Sequence, residues 1–298
     1  MIADDATIAR AARILRQGGL VAFPTETVYG LGANALDPVA VQRIFSAKGR
    51  PATSPLIVHV ADRTAARSVV REWPDRAEEL ARRFWPGPLT LVLPKSPEIP
   101  DCVTAGLTTV GVRVPRHPVA LALLAAAEVP VAAPSANRFT FLSPTSVEHV
   151  DPALADLVLD GGPATVGIES TVVSLVDGQE RLLRPGSIRL PEWTRAAPPQ
   201  TGEAHASPGL HRRHYCPRTP LYLGAGPRSG RGYRIHLPAS PEACAAELYA
   251  TLHKLDQEGY DWLAVDLPPD RPEWEAVRDR LLRAAGQGEP TNERHTHL

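Results

Sequence analysis

The chain has 298 residues, of which 43% are hydrophobic and 22% are charged, as in a globular protein with a substantial core. Its 32 Lys and Arg residues against 33 Asp and Glu residues leave a net charge of −1, which excludes a polycation that binds nucleic acid by bulk charge. No apolar run approaches the ~20 residues of a membrane span. The three cysteines are far apart, so the sequence predicts a cytoplasmic protein with no membrane partner and no disulfide framework.

The pattern of apolar residues predicts helices and strands in alternation. A first helix begins near Asp4 or Asp5 and ends at Gly18, a strand covers residues 20–23, and a second helix begins at Asp37 and ends at Gly49. Further along, the patterns predict strands over residues 56–60, 89–93, 109–114, 129–133, 170–176 and 181–184, and helices over 63–72, 75–84 and 118–128. Because several strands follow one another directly, we expect an α/β fold with a mixed sheet.

The composition changes after residue 185. Seven prolines fall within residues 185–220 without helical or strand periodicity, which indicates a semi-rigid linker. Beyond it, a helix over 242–258, a strand over 262–267 and a helix over 274–285 predict a second, smaller α/β unit. We therefore divide the chain into a large unit over 1–190, a linker over 191–218, a small unit over 219–286 and a polar, disordered tail over 287–298.

Standard cofactor and metal motifs are absent from the sequence. There is no G-x-x-x-x-G-K-[ST] loop, and the glycines between residues 224 and 232 have the wrong spacing for a dinucleotide loop, which favours a flexible turn. His211, His214 and Cys216 lie close together, but no second cluster would complete a metal site. We therefore expect no metal ligands from the protein.

Polar segments occur instead at the ends of predicted strands, where α/β proteins bind ligands. These segments are residues 24–31, 48–59, 108–115, 133–145 and 167–171, with Arg184 beyond the predicted hairpin. Taken singly, each has a plain structural explanation: a capped turn, a solvated basic turn, a core position for His59, or an edge charge for Arg113. Together they supply arginines, a lysine and hydroxyls but no nucleophilic cysteine and no Ser/His/Asp set. That set suits a polyphosphate and a carboxylate, with catalysis by positioning and charge neutralisation.

The segments in this order resemble the YrdC-like family, specifically the L-threonylcarbamoyladenylate synthases with a C-terminal extra domain. The matching strings are residues 23–31 (FPTETVYGL), 48–51 (KGRP) with 55–60 (PLIVHV), 85–90 (WPGPLT), 112–115 (VRVP), 134–137 (PSAN) with 143–145 (SPT), 169–173 (ESTVV) and 183–186 (LRPG). The linker strings at 207–209 and 214–215 and parts of residues 248–281 are also similar.

The resemblance implies a twisted mixed sheet with a concave, positively charged cavity in the large unit, which would be the catalytic domain. It also implies a nucleotidyltransferase that makes threonylcarbamoyl-AMP and pyrophosphate from L-threonine, bicarbonate or CO2, and ATP, with Mg2+ accompanying the nucleotide. The product would serve tRNA threonylcarbamoyladenosine modification through a separate transferase, and the family allows a weak contact with RNA. The alternative is a non-catalytic RNA-binding or ribosome-maturation protein of the same fold. A carbamoyl transferase for another acceptor is a third reading, but its zinc-finger cysteines are missing here.

The resemblance also implies roles for single residues. Threonine would be held by Thr27, His59, Arg113, Ser170 and the backbone of Ala133, with Arg113 taking its carboxylate. ATP would be bound by Lys48, Arg50, Ser54, Thr109, Ser135, Ser143 and Arg184, and Tyr215 on the linker would close over the nucleotide as a lid. The chain departs from the family at Ser54, where asparagine is usual, and in the bulky segment 138–142. The opening βα portion of the second domain is expected to be missing between Leu223 and Tyr233.

Overall fold

A computed structural model describes residues 3–197, 207–209, 213–227 and 229–286. Within them, the larger domain is built on one mixed sheet with strand order β10-β9-β8-β4-β5-β3-β6-β2-β1-β7. Its strands are β1 (Val21–Phe23), β2 (Gly30–Asn34), β3 (Ile57–His59), β4 (Leu89–Pro94), β5 (Thr109–Arg113), β6 (Val131–Ala132), β7 (Leu157–Val158), β8 (Thr171–Ser174), β9 (Arg181–Arg184) and β10 (Thr194–Arg195). The predicted α/β class with a mixed sheet is confirmed.

Helices cover the sheet of the larger domain. They are α1 (Asp5–Arg16), α2 (Pro38–Lys48), α3 (Arg63–Ser68), α4 (Asp75–Phe84), α5 (Asp101–Thr104) and α6 (Pro118–Ala127). The side chain of Asp37 accepts hydrogen bonds from the first free backbone amides of α2, and Gly49 ends that helix in the left-handed conformation (φ 63°). These two signals, both readable in the sequence, fix where the chain leaves α2 and therefore where Lys48 and Arg50 lie.

Two features of the large sheet differ from the sequence prediction. Strand β2 was not predicted, because its sequence GLGAN has no alternation of apolar and polar side chains. Gly32 is required there by close packing, since a Cβ at this position would lie 2.7 Å from a Val131 methyl group and 2.8 Å from the Phe23 ring. The second feature is β10, which pairs in parallel with β9. The large sheet therefore continues past residue 190, where the linker was predicted to begin.

The smaller domain has a parallel sheet of three strands, β11 (Leu221–Leu223), β12 (Gly232–Ile235) and β13 (Trp262–Val265), in the order β11-β13-β12. Helices α7 (Pro241–Asp256) and α8 (Glu275–Ala284) complete it. β11 and β12 are additions to the predicted elements. β11 ends at Leu223 and β12 begins at Gly232, and the described residues between them form no helix. The predicted disordered tail, and linker residues 198–206 and 210–212, lie outside the described residues.

The two domains share a buried boundary. α8 and α7 contribute buried apolar residues to one cluster that also contains Val28, Leu142 and Ile168 of the larger domain and Tyr215 of the linker. Among the described residues, no helix combines the length and the apolar character needed to cross a bilayer.

Candidate functional site

A cavity opens where the ends of β3 and β5 meet the loops that follow β1 and β6. The parallel register of β3 and β5 places His59 opposite Arg113, so both side chains reach the same end of the sheet. Nine residues selected from the sequence line this cavity: Thr27, Arg50, His59, Arg113, Ala133, Ser135, Ser170, Arg184 and Tyr215. The structure therefore brings together both predicted halves of the site, the threonine half and the ATP half.

Arg113 is a buried cation in the cavity wall. Its side chain is 4% exposed, its Nε donates a hydrogen bond to the Gly87 carbonyl at 3.2 Å, and its Nη2 lies 2.8 Å from Oε2 of Glu26, which is 2% exposed. The Arg113–Glu26 contact is an ion pair that lacks hydrogen-bond alignment, because neither Glu26 oxygen nor Arg113 Nη2 has a hydrogen-bond partner among the described residues. The guanidinium therefore keeps donor capacity for an anionic ligand such as a carboxylate.

His59 is neutral in this site. Burial, with a further contribution from the nearby charge of Arg113, lowers the pKa of His59 to about 3. Its Nδ1 is buried and has no hydrogen-bond partner among the described residues. A neutral imidazole beside an arginine can offer or accept a hydrogen bond without cancelling the positive charge that attracts an anion.

Arg50 is a second buried cation in the cavity lining. It donates hydrogen bonds to the backbone carbonyls of Ser54 (3.5 Å) and Pro55 (3.0 Å), and its guanidinium lies 5.8 Å from the centre of the Phe139 ring. Burial lowers the pKa of Arg50 to about 10, so the group stays charged at neutral pH. No carboxylate pairs with Arg50 within the described segments. A buried arginine without a counter-ion is suited to a phosphate group.

Arg184 connects three parts of the site. Its Nε and Nη2 donate to the backbone oxygen and the hydroxyl of Ser170, both at 3.0 Å, and its Nη1 donates to the carbonyl of Pro208 in the linker at 3.2 Å. The Ser170 hydroxyl also lies 2.8 Å from that of Thr90 on β4. Arg184 therefore joins the sheet wall to the linker segment that covers the cavity.

Four residues predicted to contact ATP do not line the cavity: Lys48, Ser54, Thr109 and Ser143. Lys48 Nζ instead donates hydrogen bonds to the backbone oxygens of Ser135 (2.6 Å) and Asn137. Burial holds the pKa of Lys48 well below its ordinary value. In this structure Lys48 supports the loop that carries Ser135 and does not present its charge to the cavity.

Ser54, Thr109 and Ser143 each lie outside the cavity lining for a different reason. The buried Ser54 adjoins the cavity through its neighbour Pro55, and its carbonyl receives Arg50. Thr109 begins β5, four residues before Arg113, which corresponds to roughly 13 Å along a strand. The structure therefore does not bring Thr109 to this cavity. Ser143 is fully buried, and its hydroxyl donates to Oε1 of Glu169 at 2.6 Å.

Tyr215 covers the cavity from the linker side. Its side chain is 1% exposed, it packs on Tyr249 of α7 with ring centres 5.7 Å apart, and its backbone has φ 61°. A positive φ is costly for a bulky residue, so the surrounding contacts must hold Tyr215 in this conformation. Burial raises the pKa of Tyr215, so the hydroxyl stays protonated. Gly209 approaches so closely that a Cβ there would lie 2.2 Å from that hydroxyl oxygen.

Three residues of the site were not singled out from the sequence. Glu26 pairs with Arg113, and Glu169 lines the cavity. The Phe139 ring contacts both the Arg50 guanidinium and the His214 ring, whose centre is 5.7 Å away. Glu26 and Glu169 both lie inside the family motifs given above. An arginine predicted to be buried needs an anionic partner, and that requirement could have pointed to these two carboxylates. Among the described residues, no group of three or more metal-ligating side chains exists.

The fold and the site together define a mixed α/β protein whose cavity is lined by the buried arginines Arg50, Arg113 and Arg184. The model of the Sua5/YciO/YrdC family, described as telomere recombination, matches residues 13–186. A second model, described as the C-terminal domain of threonylcarbamoyl-AMP synthase, matches residues 229–286. The chain belongs to the Sua5/YciO/YrdC family, which confirms the resemblance found in the motifs.

Curated relatives extend over nearly the whole chain. A threonylcarbamoyl-AMP synthase of Pyrococcus abyssi is 40% identical over 93% of both chains. One of Bacillus subtilis is 40% identical over 95% of this chain and 94% of the relative. The crystal structure of P. abyssi Sua5 complexed with L-threonine matches with a TM-score of 0.89 and 38% identity over 95% of each chain. E. coli YciO matches with a TM-score of 0.55 and 26% identity, over 64% of this chain and 94% of that one.

Proposed function

We propose that this chain is a threonylcarbamoyl-AMP synthase and that the cavity under Tyr215 is its active site. Three findings support the activity: relatives of that name align over most of the chain, a similar structure holds L-threonine, and the cavity carries arginines for two anions. The observation that carries the proposal is the pairing of two halves in one cavity. Arg113 and His59 end the paired strands β5 and β3, and Arg50 and Arg184 line the same cavity.

The reaction needs positioning and not a protein nucleophile. The amine of threonine adds to CO2 and loses a proton, which gives a carbamate. A carbamate oxygen then attacks the α-phosphorus of ATP, the bond to the β-phosphate oxygen breaks, and pyrophosphate leaves with the electron pair. Starting from bicarbonate, one water is released in addition. The product is a mixed anhydride that water would hydrolyse, so cover from Tyr215 would protect it.

The residues of the cavity divide between the two substrates in this proposal. The Arg113 guanidinium binds the threonine carboxylate, and Thr27, His59, Ser170 and the backbone of Ala133 surround the rest of the amino acid. Arg50 and Arg184 neutralise the phosphate oxygens, where negative charge accumulates as pyrophosphate departs. Ser135 and Tyr215 complete the nucleotide side. Each of these residues lines the cavity.

Mg2+ enters this proposal as a companion of ATP. The carboxylates at the cavity wall, Glu26 beside Arg113 and Glu169 in the lining, are each engaged by an arginine. The described residues therefore fit a metal held by phosphate oxygens and water, which is a usual arrangement for Mg2+. The reaction class is then nucleotidyl transfer. A separate transferase in the cytoplasm would use the product to modify tRNA.

The proposal is tested by pyrophosphate release. Purified protein with ATP, Mg2+ and bicarbonate should release pyrophosphate when L-threonine is added, and mass spectrometry should detect threonylcarbamoyl-AMP. Omission of threonine or bicarbonate is the control. Tight, salt-sensitive binding of RNA without pyrophosphate release would contradict the proposal and favour a non-catalytic RNA-binding protein.

A further inference from the structure

The smaller domain reaches into the wall of the cavity through one arginine. Arg280 on α8 is fully buried (0% exposed), and its Nε donates a hydrogen bond to Oε2 of Glu169 at 2.8 Å. Its guanidinium carbon lies 5.3 Å from the centre of the Tyr215 ring, within the range of a cation–π contact. Glu169 and Tyr215 both line the cavity, whereas Arg280 does not. One side chain of the second domain thus holds two separate parts of the site.

Tyr249 on α7 makes the same two connections. Its hydroxyl donates to Oε2 of Glu169 at 3.1 Å, and its ring packs on that of Tyr215. Burial favours a raised pKa for Glu169, but the charges of Arg280 and Arg184 and the hydrogen bond from Ser143 outweigh it and lower the pKa. Glu169 is therefore a carboxylate at neutral pH, and the donors that fix it come from both domains.

We propose that Arg280 and Tyr249 are positioning residues for ATP, which set Glu169 and Tyr215 so that the lid closes over the nucleotide. This inference rests on the proposed function of the cavity. It assigns the smaller domain a direct part in building the nucleotide site, although none of the described residues of that domain lines the cavity.

The geometry predicts a larger effect on ATP than on threonine, although Ser170 directly follows Glu169 in the chain. The threonine side is built on β3 and β5 in the large sheet, where Arg113 is fixed by Gly87 and Glu26 and has no contact with the smaller domain among the described residues. The lid depends on its own few anchors. They include the Arg184 bond to Pro208, the close contact of Gly209 with Tyr215, the contacts of Tyr215 with Arg280 and Tyr249, and the bond from the Cys216 amide to the Thr140 carbonyl.

Two variants weaken these anchors without leaving an unpaired charge. Tyr249→Phe removes one hydroxyl and keeps the ring, and Arg280→Lys keeps the charge but loses the planar fork. We expect each to raise KM for ATP by about tenfold, the equivalent of ~1.4 kcal/mol, with KM for threonine changed by less than about twofold. Arg278→Lys is the matched control, because Arg278 is on the same helix but contacts Pro268 and Asp270 in its own domain. Unchanged KM for ATP in both variants, or equal increases for both substrates, would overturn the proposal.

Cysteine labelling measures the lid directly. Cys216 follows Tyr215 and is 5% exposed, whereas Cys244 on α7 is 1% exposed and reports opening of the smaller domain itself. In Tyr249→Phe we expect a thiol reagent to modify Cys216 faster, while the rate at Cys244 stays that of the unaltered protein. Equal acceleration at both cysteines would show general loosening and would overturn a specific role at the lid.

Nucleotide binding separates this inference from the proposed function. Calorimetry with a non-hydrolysable ATP analogue needs no turnover, so it tests the positioning role even if the unaltered protein releases no pyrophosphate. Weaker binding in Tyr249→Phe and Arg280→Lys, with binding in Arg278→Lys unchanged, supports the inference. Equal binding in all three variants contradicts it.

Discussion

Replacement of Arg113 by lysine tests the threonine half of the site. Arg113 Nε is used by the Gly87 carbonyl and Nη2 is paired with Glu26 at 2.8 Å, so the fork can serve both this pair and a substrate carboxylate. A lysine ammonium still balances the negative charge of Glu26. Leaving that buried carboxylate without a cation would cost ~3–5 kcal/mol. The protein should therefore fold. A single ammonium cannot reach Glu26 and hold a carboxylate with two parallel bonds at once.

The expected loss follows from the hydrogen bonds removed. One charged hydrogen bond contributes ~1.5–3 kcal/mol, so kcat/KM for threonine should fall by roughly 10- to 100-fold, with KM for ATP nearly unchanged. The assay is pyrophosphate release during a threonine titration at saturating ATP and bicarbonate. Arg82→Lys, at a side chain that is 70% exposed on α4, is the matched control. An unaltered threonine KM in Arg113→Lys would refute the assignment of the carboxylate to this guanidinium.

Three further predictions concern the loop that Lys48 supports, the lid over the cavity and the dependence of stability on pH. Lys48→Met leaves two loop carbonyls without their donor and should lower the free energy of unfolding by ~1–3 kcal/mol in urea titrations; a change in KM for ATP at full stability would instead indicate direct contact. Gly209→Ala puts a methyl group against the Tyr215 hydroxyl at a left-handed position (φ 84°), so KM for ATP should rise and KM for threonine should not. Burial lowers the pKa of His253 to about 4, so its contribution to stability is complete above pH ~6.5 and is lost as pH falls towards 4. Chemical unfolding at pH 7 and pH 5 should show that His253→Gln reduces the acid loss by up to ~2 kcal/mol; equal losses would contradict this.

Local signals were sufficient for the elements that carry the nucleotide half of the site. The aspartate cap, the first-turn proline and the terminal glycine predict α2, and the structure confirms them at Asp37, Pro38 and Gly49. The runs of apolar and β-branched residues predict the bounds of β3, β4, β5, β8 and β9 within one or two residues. Strand β2 escaped prediction because its burial comes from two-sided packing around glycines, which leaves no alternation to detect.

The sequence identified residue types, but only the tertiary structure sorted them by distance. His59 and Arg113 are 54 positions apart and meet because β3 and β5 pair in parallel. Lys48 and Arg50 are both cationic residue types two positions apart, yet the Lys48 side chain turns to backbone carbonyls while the guanidinium of Arg50 lines the cavity. Burial and hydrogen-bond partners decide whether a basic side chain lines the cavity or supports a loop. A sequence motif specifies neither of them.

By itself, the sequence determined the α/β class, the two unequal domains, the polar segments at the strand ends and the family they resemble, because periodicity, caps and ordered motifs are local properties. The folded chain decided what those properties could not: which arginines share one cavity, which carboxylates balance them, and where the second domain makes contact. Charge balance inside a cavity depends on groups far apart in the chain. Arg280 lies 111 positions from Glu169, and packing alone brings the two within 2.8 Å.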